Sequence, residues 1–454
     1  MCGKLELRYV RLLCGLLLAG LVLAGRVRAQ EELVLDAGTA VQLAMERNER
    51  LLMAGQDLRR AELRVREAWS GGLPQVNANL GYARNWQRPT LVYETPEGTQ
   101  RFRIGADNDA TGGITLSQAL YTGGRVRGAV AAARYTRQQS LEASRLARHE
   151  VTEAVETAFY DLLLAGELHT VSSLALARAR SNLGQVQALR RAGRVSDYDL
   201  LRAEVQVSTF ASDSIQSDNA VRLAEMALKD VVGLDLATPI RVAGGFRTHS
   251  PLLGQEVAVL QEMGVARRPE VQQLERQLGA RRSEVGLARA GLLPTVEASV
   301  GGQAQFQSDA ELDVVKPEEW RRSWNTALTV SVPVFDGLRS RAQVAQVKAD
   351  VRQLELERQQ TARQVRLEVM QAWLDLREAD ERLKAQQATV EQAEKGLQVA
   401  ESRYTGGAGT QLETLDAQLA LVQARTERAA AQRDRALAIT RLERAVGVLG
   451  EATP

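Results

Sequence analysis

Two hydrophobic periods alternate along the chain. Between residues 339 and 402 apolar side chains recur at three- and four-residue steps: Val344, Val347, Val351 and Leu354, then Val365, Val369, Ala372 and Leu376. This spacing predicts a helix that buries one narrow seam, while Arg, Glu, Gln and Ala fill the rest of its surface. Residues 125–189 have the same character, and no proline occurs between Pro96 and Pro239 or between Pro333 and Pro454. A proline inside a helix costs about 3 kcal/mol, so these gaps permit unbroken rods of about 100 Å at ~1.5 Å per residue. A narrow seam with water on both remaining sides suits the wall of a hollow tube. It equally suits a simple antiparallel coiled coil.

The second period is two. After Pro74, "QVNANLGY" sets Val76, Ala78, Leu80 and Tyr82 against Gln75, Asn77 and Asn79. "TVEASVGG" sets Val296, Ala298 and Val300 against Glu297 and Ser299, and "WNTALTVSVPVF" sets Trp324, Thr326, Leu328, Val330 and Val332 against Asn325, Ala327, Thr329 and Ser331. "GGITLSQALY" alternates more weakly. Strands are therefore expected at about 74–86, 111–121, 294–306 and 324–335. Alternation over ~10 residues with small polar side chains on the second face is the pattern of a transmembrane β-strand around an aqueous lumen. A sandwich strand would alternate too, but four strands with no second sheet cannot bury their apolar face. Trp86, Tyr93, Trp320 and Trp324 lie where an interfacial aromatic girdle is expected. The connections 84–111 and 306–323 are long and polar, as suits an extracellular side.

Four strands cannot close a barrel, and an open edge in lipid leaves backbone groups unpaired at several kcal/mol each. Two copies would give eight strands, whose interior side chains fill. Three copies give twelve, so the chain is expected to be a homotrimer.

Nearly the whole chain is written twice. Residues 113–235 lie over 327–449 without a gap: "ALYTGGRVRG" on "PVFDGLRSRA", "AFYDLL" on "AWLDLR", and "VVGL" on "AVGV". "RNERL" and "GLPQVNANLG" likewise match "RRPEV" and "LLPTVEASVG". This gives a first repeat over 30–235, an equatorial linker over 236–266, a second repeat over 267–449 and a short tail at 450–454. Each long helix then pauses at an equivalent place, at "LRRAGRVSDYDLLRAE" and at "RYTGGAGTQLETLDAQ". The pauses predict helix-to-helix turns at 190–197 and 403–411, followed by helices at 198–233 and 412–447. The second restarts with Leu412, Leu415, Leu419 and Val422 as its seam. Gly193, Gly406, Gly407 and Gly409 permit the reversals. Asp199, Glu413 and Asp416, at the restarts, suit helix capping and dipole compensation.

Composition narrows the chemistry. Charged residues make up 25% and the formal net charge is +2, so no basic face for nucleic acid is advertised. His149, His169 and His249 are far apart and show no metal-ligand spacing, and no cofactor motif or catalytic constellation is present. Lys4, Arg8 and Arg11 precede "LLCGLLLAGLVLAG", with "VRA" at 27–29 offering a cleavage site. This is a secretory signal over residues 1–29, too short to span a bilayer as a permanent helix. It contains both cysteines, Cys2 and Cys14, so the mature chain has no thiol.

The signal, the matched halves in which strand pairs feed long helices, "YTGG" and "FDGLRSRA" after the strands, and "RYTGGAGTQLETLDAQ" together resemble the TolC-type outer-membrane efflux proteins. The resemblance covers residues 31–449. It implies an α+β membrane protein: a trimeric twelve-stranded transmembrane β-barrel in outer-membrane lipid, four strands per chain, continued by a long α-helical periplasmic barrel. It also implies a passive exit duct that docks a periplasmic adaptor (a membrane fusion protein) and is driven by an inner-membrane transporter of RND or ABC type. The turns become adaptor contacts at Gly193, Arg194, Val195, Ser196, Gly406, Gly407, Ala408, Gly409 and Thr410. Asp199, Tyr404, Glu413 and Asp416 become the periplasmic gate and selectivity residues. One departure stands out: the family pattern has an arginine, paired with the acid matching Asp199, where this chain has Gly409. Closure then falls to other contacts, such as those of Arg403 or Arg194. The competing reading is a periplasmic coiled-coil scaffold or adaptor outside the membrane, although an adaptor would need a lipoyl-like or β-barrel module between its helices.

Overall fold

The computed structural model describes residues 33–96, 98–309 and 320–450. The signal expected over 1–29, with Cys2 and Cys14, lies outside these residues, as do 451–454 and most of the second inter-strand connection. The described residues fall into two compact units, one drawn from 33–49, 151–253 and 374–441, the other from 50–150, 254–373 and 442–450.

In the second unit, strands β2 (Gln75–Arg84), β5 (Asn108–Tyr121), β7 (Thr295–Ser308) and β8 (Arg321–Ser331) make an antiparallel sheet in the order β2-β5-β7-β8. Residues opposite one another in register share a face. Val76, Leu116, Val300 and Thr326 form one row; Ala78, Ile114, Gly302 and Trp324 the next; then Leu80, Gly112, Ala304 and Arg322. The other face carries Asn77, Thr115, Gly301 and Asn325, with Asp109 accepting hydrogen bonds from Gln305 and Gln307. Within the protomer the apolar face has no cover: Leu80 is 92% exposed and Leu328 66%. Glycines sit where a cross-strand side chain lies flat on the sheet; a Cβ on Gly302 would come within 2.8 Å of the Trp324 ring.

Strand β5 explains its weak alternation. Its register with β7 shifts between Ala119 and Tyr121, so Leu120 is bulged out and Tyr121 returns opposite Val296. Just before the bulge Gln118 shares the apolar face in phase with Leu116, opposite Ala298, and its amide donates to the carbonyls of Gly72 and Ala119 at 2.8 and 3.0 Å. The connection 84–111 is not a plain loop. It folds into a hairpin of β3 (Thr90–Thr95) and β4 (Gly98–Arg103), and β5 starts three residues before the expected 111.

The first unit holds β1 (Leu33–Leu35), paired in parallel with β6 (Ile240–Val242), and helix α1 (Ala37–Arg47). The segment 236–266, expected as a linker, thus supplies a paired strand and most of a helix. Helices α2 (Glu49–Ser70), α3 (Arg125–Arg191), α4 (Asp197–Val232), α5 (Val257–Arg267), α6 (Pro269–Arg289), α7 (Arg339–Thr405) and α8 (Gln411–Val446) complete the elements. The pairs α3–α4 and α7–α8 each comprise 67 and 36 residues. No described helix is long and apolar enough to cross a membrane.

The same local joint occurs in each unit. In the first, α1 ends at Asn48, whose amide donates to the Val231 carbonyl at 2.8 Å, and the left-handed Gly233 that closes α4 sits against the Arg47 backbone. In the second, α5 breaks at Arg268, and Gly447 at the end of α8 sits against the backbone of Arg267 and Arg268. Here Arg268, nearly buried, is held by Glu270 and Glu368.

The expected seam on α7 is met in part: Leu354, Val365, Val369, Ala372 and Leu376 are buried, whereas Val344, Val347 and Val351 are only half-buried. The seam of α8 departs further. Leu412 and Leu419 are exposed, while Gln411, Thr414, Leu415, Gln418, Leu421 and Ala424 are buried. The expected leucine heptad lies about a third of a turn away from the face that packs.

Candidate functional site

The two turns come together in the first unit. Helix α3 stops because Gly193 adopts φ +69°, and the Arg194 amide reaches back to the Leu189 carbonyl at 2.9 Å. At the other turn Gly407 takes φ +74°, and the Ala408 amide bonds the Arg403 carbonyl at 2.9 Å. Both are the six-to-one closure that favours glycine, because a left-handed residue with a Cβ costs about 1–2 kcal/mol. Each restart is capped by a hydroxyl. Ser196 Oγ accepts from the Asp199 amide at 3.2 Å, and Thr410 Oγ1 accepts from the Glu413 amide at 3.2 Å. The two turns touch through Gln411, a buried side chain whose Nε2 donates to the Asp199 carbonyl at 3.2 Å.

Asp199 completes a capping box: its carboxylate accepts from the Ser196 amide at 3.1 Å and from the Ser196 hydroxyl at 2.7 Å. Glu413 stands at the equivalent helix position, but Arg403 Nε faces it at 3.7 Å while Arg403 Nη2 also donates to the Ala408 carbonyl at 3.2 Å. Asp416 does neither. It lies on the exposed face of α8 and makes no hydrogen bond or ion pair with a described residue, so it is not a cap. Tyr404 is partly buried, and its hydroxyl has no hydrogen-bond partner among the described residues. Burial, together with the charge of Asp199, pushes its pKa above the ordinary phenol value. The buried Gln411 Oε1 and Thr414 Oγ1 are likewise unpartnered.

Arg194 makes no side-chain hydrogen bond or ion pair with another described residue, whereas Arg403 does, so the first turn's bracing comes from elsewhere. Arg190 pairs with Asp197 across the turn, and that hydrogen bond and charge hold the Asp197 carboxyl below its usual range. Nothing in the sequence singles out Arg190, Asp197 or Gln411, since each reads there as an ordinary helical polar residue. Gly409 is closely packed: a Cβ there would meet Arg403 Cβ at 3.0 Å and the Tyr404 nitrogen at 3.1 Å. No side chain longer than glycine's fits without moving the last turn of α7.

The aromatics expected in the girdle are spread over the strands and their connections in the second unit. Trp320 stacks on Phe306 at 5.9 Å, and Trp324 stands 80% exposed on the apolar face. Trp86 carries the Arg84 guanidinium 4.6 Å over its ring, and Tyr93 is exposed on β3.

The sequence model of the outer membrane efflux protein family matches residues 40–234 and 260–448. The chain belongs to that family. Among its relatives, protein CyaE of Bordetella pertussis is 27% identical over 398 residues, covering 86% of this chain and 82% of that protein. The pyoverdine export outer membrane protein OpmQ of Pseudomonas aeruginosa is 27% identical over 427 residues, covering 88% and 82%. In fold, this efflux protein superposes on CusC with a TM-score of 0.74 at 20% identity, covering 90% of this chain and 92% of that one. The Campylobacter jejuni CmeC outer membrane channel gives 0.74 at 18% identity, covering 92% and 87%. The outer-membrane location and efflux role expected from the sequence are thereby borne out, and a coiled-coil scaffold or adaptor outside the membrane is not favoured.

Proposed function

We propose that this efflux protein is the outer-membrane exit duct of a tripartite export system, a homotrimer whose twelve strands close one barrel above a helical periplasmic tunnel. The observation that carries the reading is the four-stranded sheet with two unpaired edges, β2 and β8, and one uncovered apolar face. Lipid suits that face, and edge-to-edge pairing with two further copies satisfies the edges without exposing backbone to hydrocarbon. Twofold matching by the family model and the repeated 67- and 36-residue helices support construction from two internal repeats.

In this duct the paired turns are the periplasmic mouth. Residues 193–196 and 406–410 present small side chains and open backbone to a helical hairpin of the adaptor, which in turn engages an inner-membrane transporter. Asp199, Tyr404, Glu413 and Asp416 form the gate. No step of chemistry is assigned to the chain. Light scattering on the detergent-solubilised protein tests the assembly, with three times the mature mass expected; a monodisperse monomer defeats the barrel.

A further inference from the structure

The chain leads from the apolar column of strand β8 to a cluster of cations at the start of α7. Leu328 and Val330 are 66% and 58% exposed, and Val332 and Val334 continue the alternation beyond the strand at 59% and 94%. Phe335 and Leu338 follow, both exposed, and Leu338 is the one described non-glycine residue with positive φ. A single turn of 3-10 helix at Ala290–Leu292, after α6, packs on the start of α7: a Cβ on Gly291 would lie 2.9 Å from Ser340 Oγ. Beside this contact opens a cleft of about 400 Å³ lined by Arg289, Leu292, Leu293, Arg341, Val344 and Lys348.

Its lining holds three cations, three aliphatic side chains and no carboxylate. None of the three cations makes an ion pair or hydrogen bond with another described residue. Elsewhere in this unit α7 is laced to the preceding helices by Arg282–Glu355, Arg358–Glu275 and Arg366–Glu262. The lacing stops at the cleft. Arg341 moreover sits in the first turn of α7, where the helix dipole favours an acid. Like charges gathered on apolar walls repel one another unless an anion joins them.

We propose that this cleft holds the phosphate headgroup of an anionic phospholipid of the periplasmic leaflet, with acyl chains lying along Val332, Val334 and Phe335 toward the apolar face of β8. This rests on the outer-membrane barrel reading, which brings the helix-side end of β8 to the level of the inner headgroups. A cationic site that terminates an apolar column matches an amphiphile with a charged end, and basic pockets at a membrane boundary recognise such headgroups. Arg and Lys suit the task because their aliphatic stems lie on apolar surface while the charge reaches the phosphate.

Native mass spectrometry of the intact protein in detergent, with phosphatidylglycerol or phosphatidylcholine of identical acyl chains, tests the site. Wild type is expected to retain phosphatidylglycerol in preference. Each cation beside a lipid surface contributes about fivefold, so R289Q/R341Q/K348Q lowers the preference by about a hundredfold at low salt. The charge-preserving R289K/R341K keeps it. Equal retention of both lipids by wild type, or undiminished preference in the triple variant, overturns the proposal. So does displacement of phosphatidylglycerol by excess inorganic phosphate, which identifies a site for free anions. The same spectra report the assembly: a trimer without lipid preference removes only the lipid site, whereas a monomer removes the barrel reading itself.

Discussion

Tyr404→Phe gives opposite signs for two accounts of the paired turns. Within the protomer the Tyr404 hydroxyl is buried and unpartnered, and its raised pKa keeps it a neutral donor through the physiological range. A buried hydroxyl without a partner costs about 1–3 kcal/mol. If the turns are complete within one chain, Tyr404→Phe relieves that cost and the closed arrangement becomes more stable. If three chains meet there as a gate, the hydroxyl donates across the subunit boundary. Each replacement then loses about 1 kcal/mol, roughly 3 kcal/mol for the trimer. The closed-to-open constant should move about a hundredfold toward open. Single-channel recording in planar bilayers reads this as open probability. The gate account expects open probability to rise steeply with unit conductance of the fully open state unchanged. An open probability that is unaltered or reduced in Tyr404→Phe refutes it.

Further tests follow from the same geometry. Three Asp416 carboxylates around a threefold axis about 6 Å apart would repel by roughly 3 kcal/mol per pair at an effective dielectric of ~20. Block by a trivalent cation from the periplasmic side should therefore weaken at least about tenfold in Asp416→Ala and vanish when Glu413→Ala is added; an unchanged block places these acids away from the lumen. Cys2 and Cys14 are the only native cysteines, so a cysteine replacing Arg194 or Ala408 reports adaptor cross-linking without removing the Ser196 or Thr410 cap. Cross-links are expected at both and absent at Ser299, and equal yields at all three would disprove docking through the turns. Burial tends to raise the pKa of Glu270, but hydrogen bonds and charge from Arg268 reverse the sign and leave it below the ordinary glutamate value of 4.5. Its contribution to stability is thus complete above pH 4.5 and lost below it. Arg268→Met should cost about 3 kcal/mol at neutral pH and abolish or reverse Glu270's share of the acid limb, because burial alone then raises its carboxyl and protonation on acidification relieves the buried charge; an unchanged acid limb in thermal denaturation would show that the ion pair carries none of it.

The long helices and three of the four sheet strands were legible because each advertises one uninterrupted period. β5 was weaker for a local reason: a polar Gln118 occupies the apolar face in phase with Ile114 and Leu116, and the bulge at Leu120 then brings Tyr121 onto that face out of phase, an event that alternation alone cannot encode. The pair β1–β6 escaped notice because three-residue strands are too short to show a period, and their partners are far apart in sequence. The β3–β4 hairpin was hidden by its composition, since "TLVYET" and "GTQRFR" mix polar and apolar residues on both faces. On α8 the leucines at 412 and 419 misled, because the packed face is lined partly by Gln411, Thr414 and Gln418. Such residues are read as solvent-facing unless neighbouring backbone, here the Asp199 carbonyl, is known to meet them.

The polar packing of α8 near its turn connects fold to function. Away from the turn its buried positions are mainly apolar, among them Ala429, Ala431, Ala436, Leu437, Ala438, Ile439, Leu442 and Val446, and the buried Thr440 hydroxyl is satisfied by Glu156. Toward the turn they become Leu415, Thr414 and Gln411, and two of those side chains carry buried oxygen atoms without partners. Apolar burial contributes about 25 cal/mol per Å², while an unsatisfied buried polar atom subtracts about 1–3 kcal/mol. The balance of burial therefore shifts from mainly apolar to mainly polar along the helix toward the turn, within one continuous element. Elements that move in function are drawn from the least stable part of a structure, because only there can a partner's modest binding energy shift the population. A gate in the apolar seam would have to break core packing to open. A gate at the turns has to exchange only a few polar contacts, and the unpartnered groups of Tyr404, Gln411 and Thr414 stand ready to make new ones.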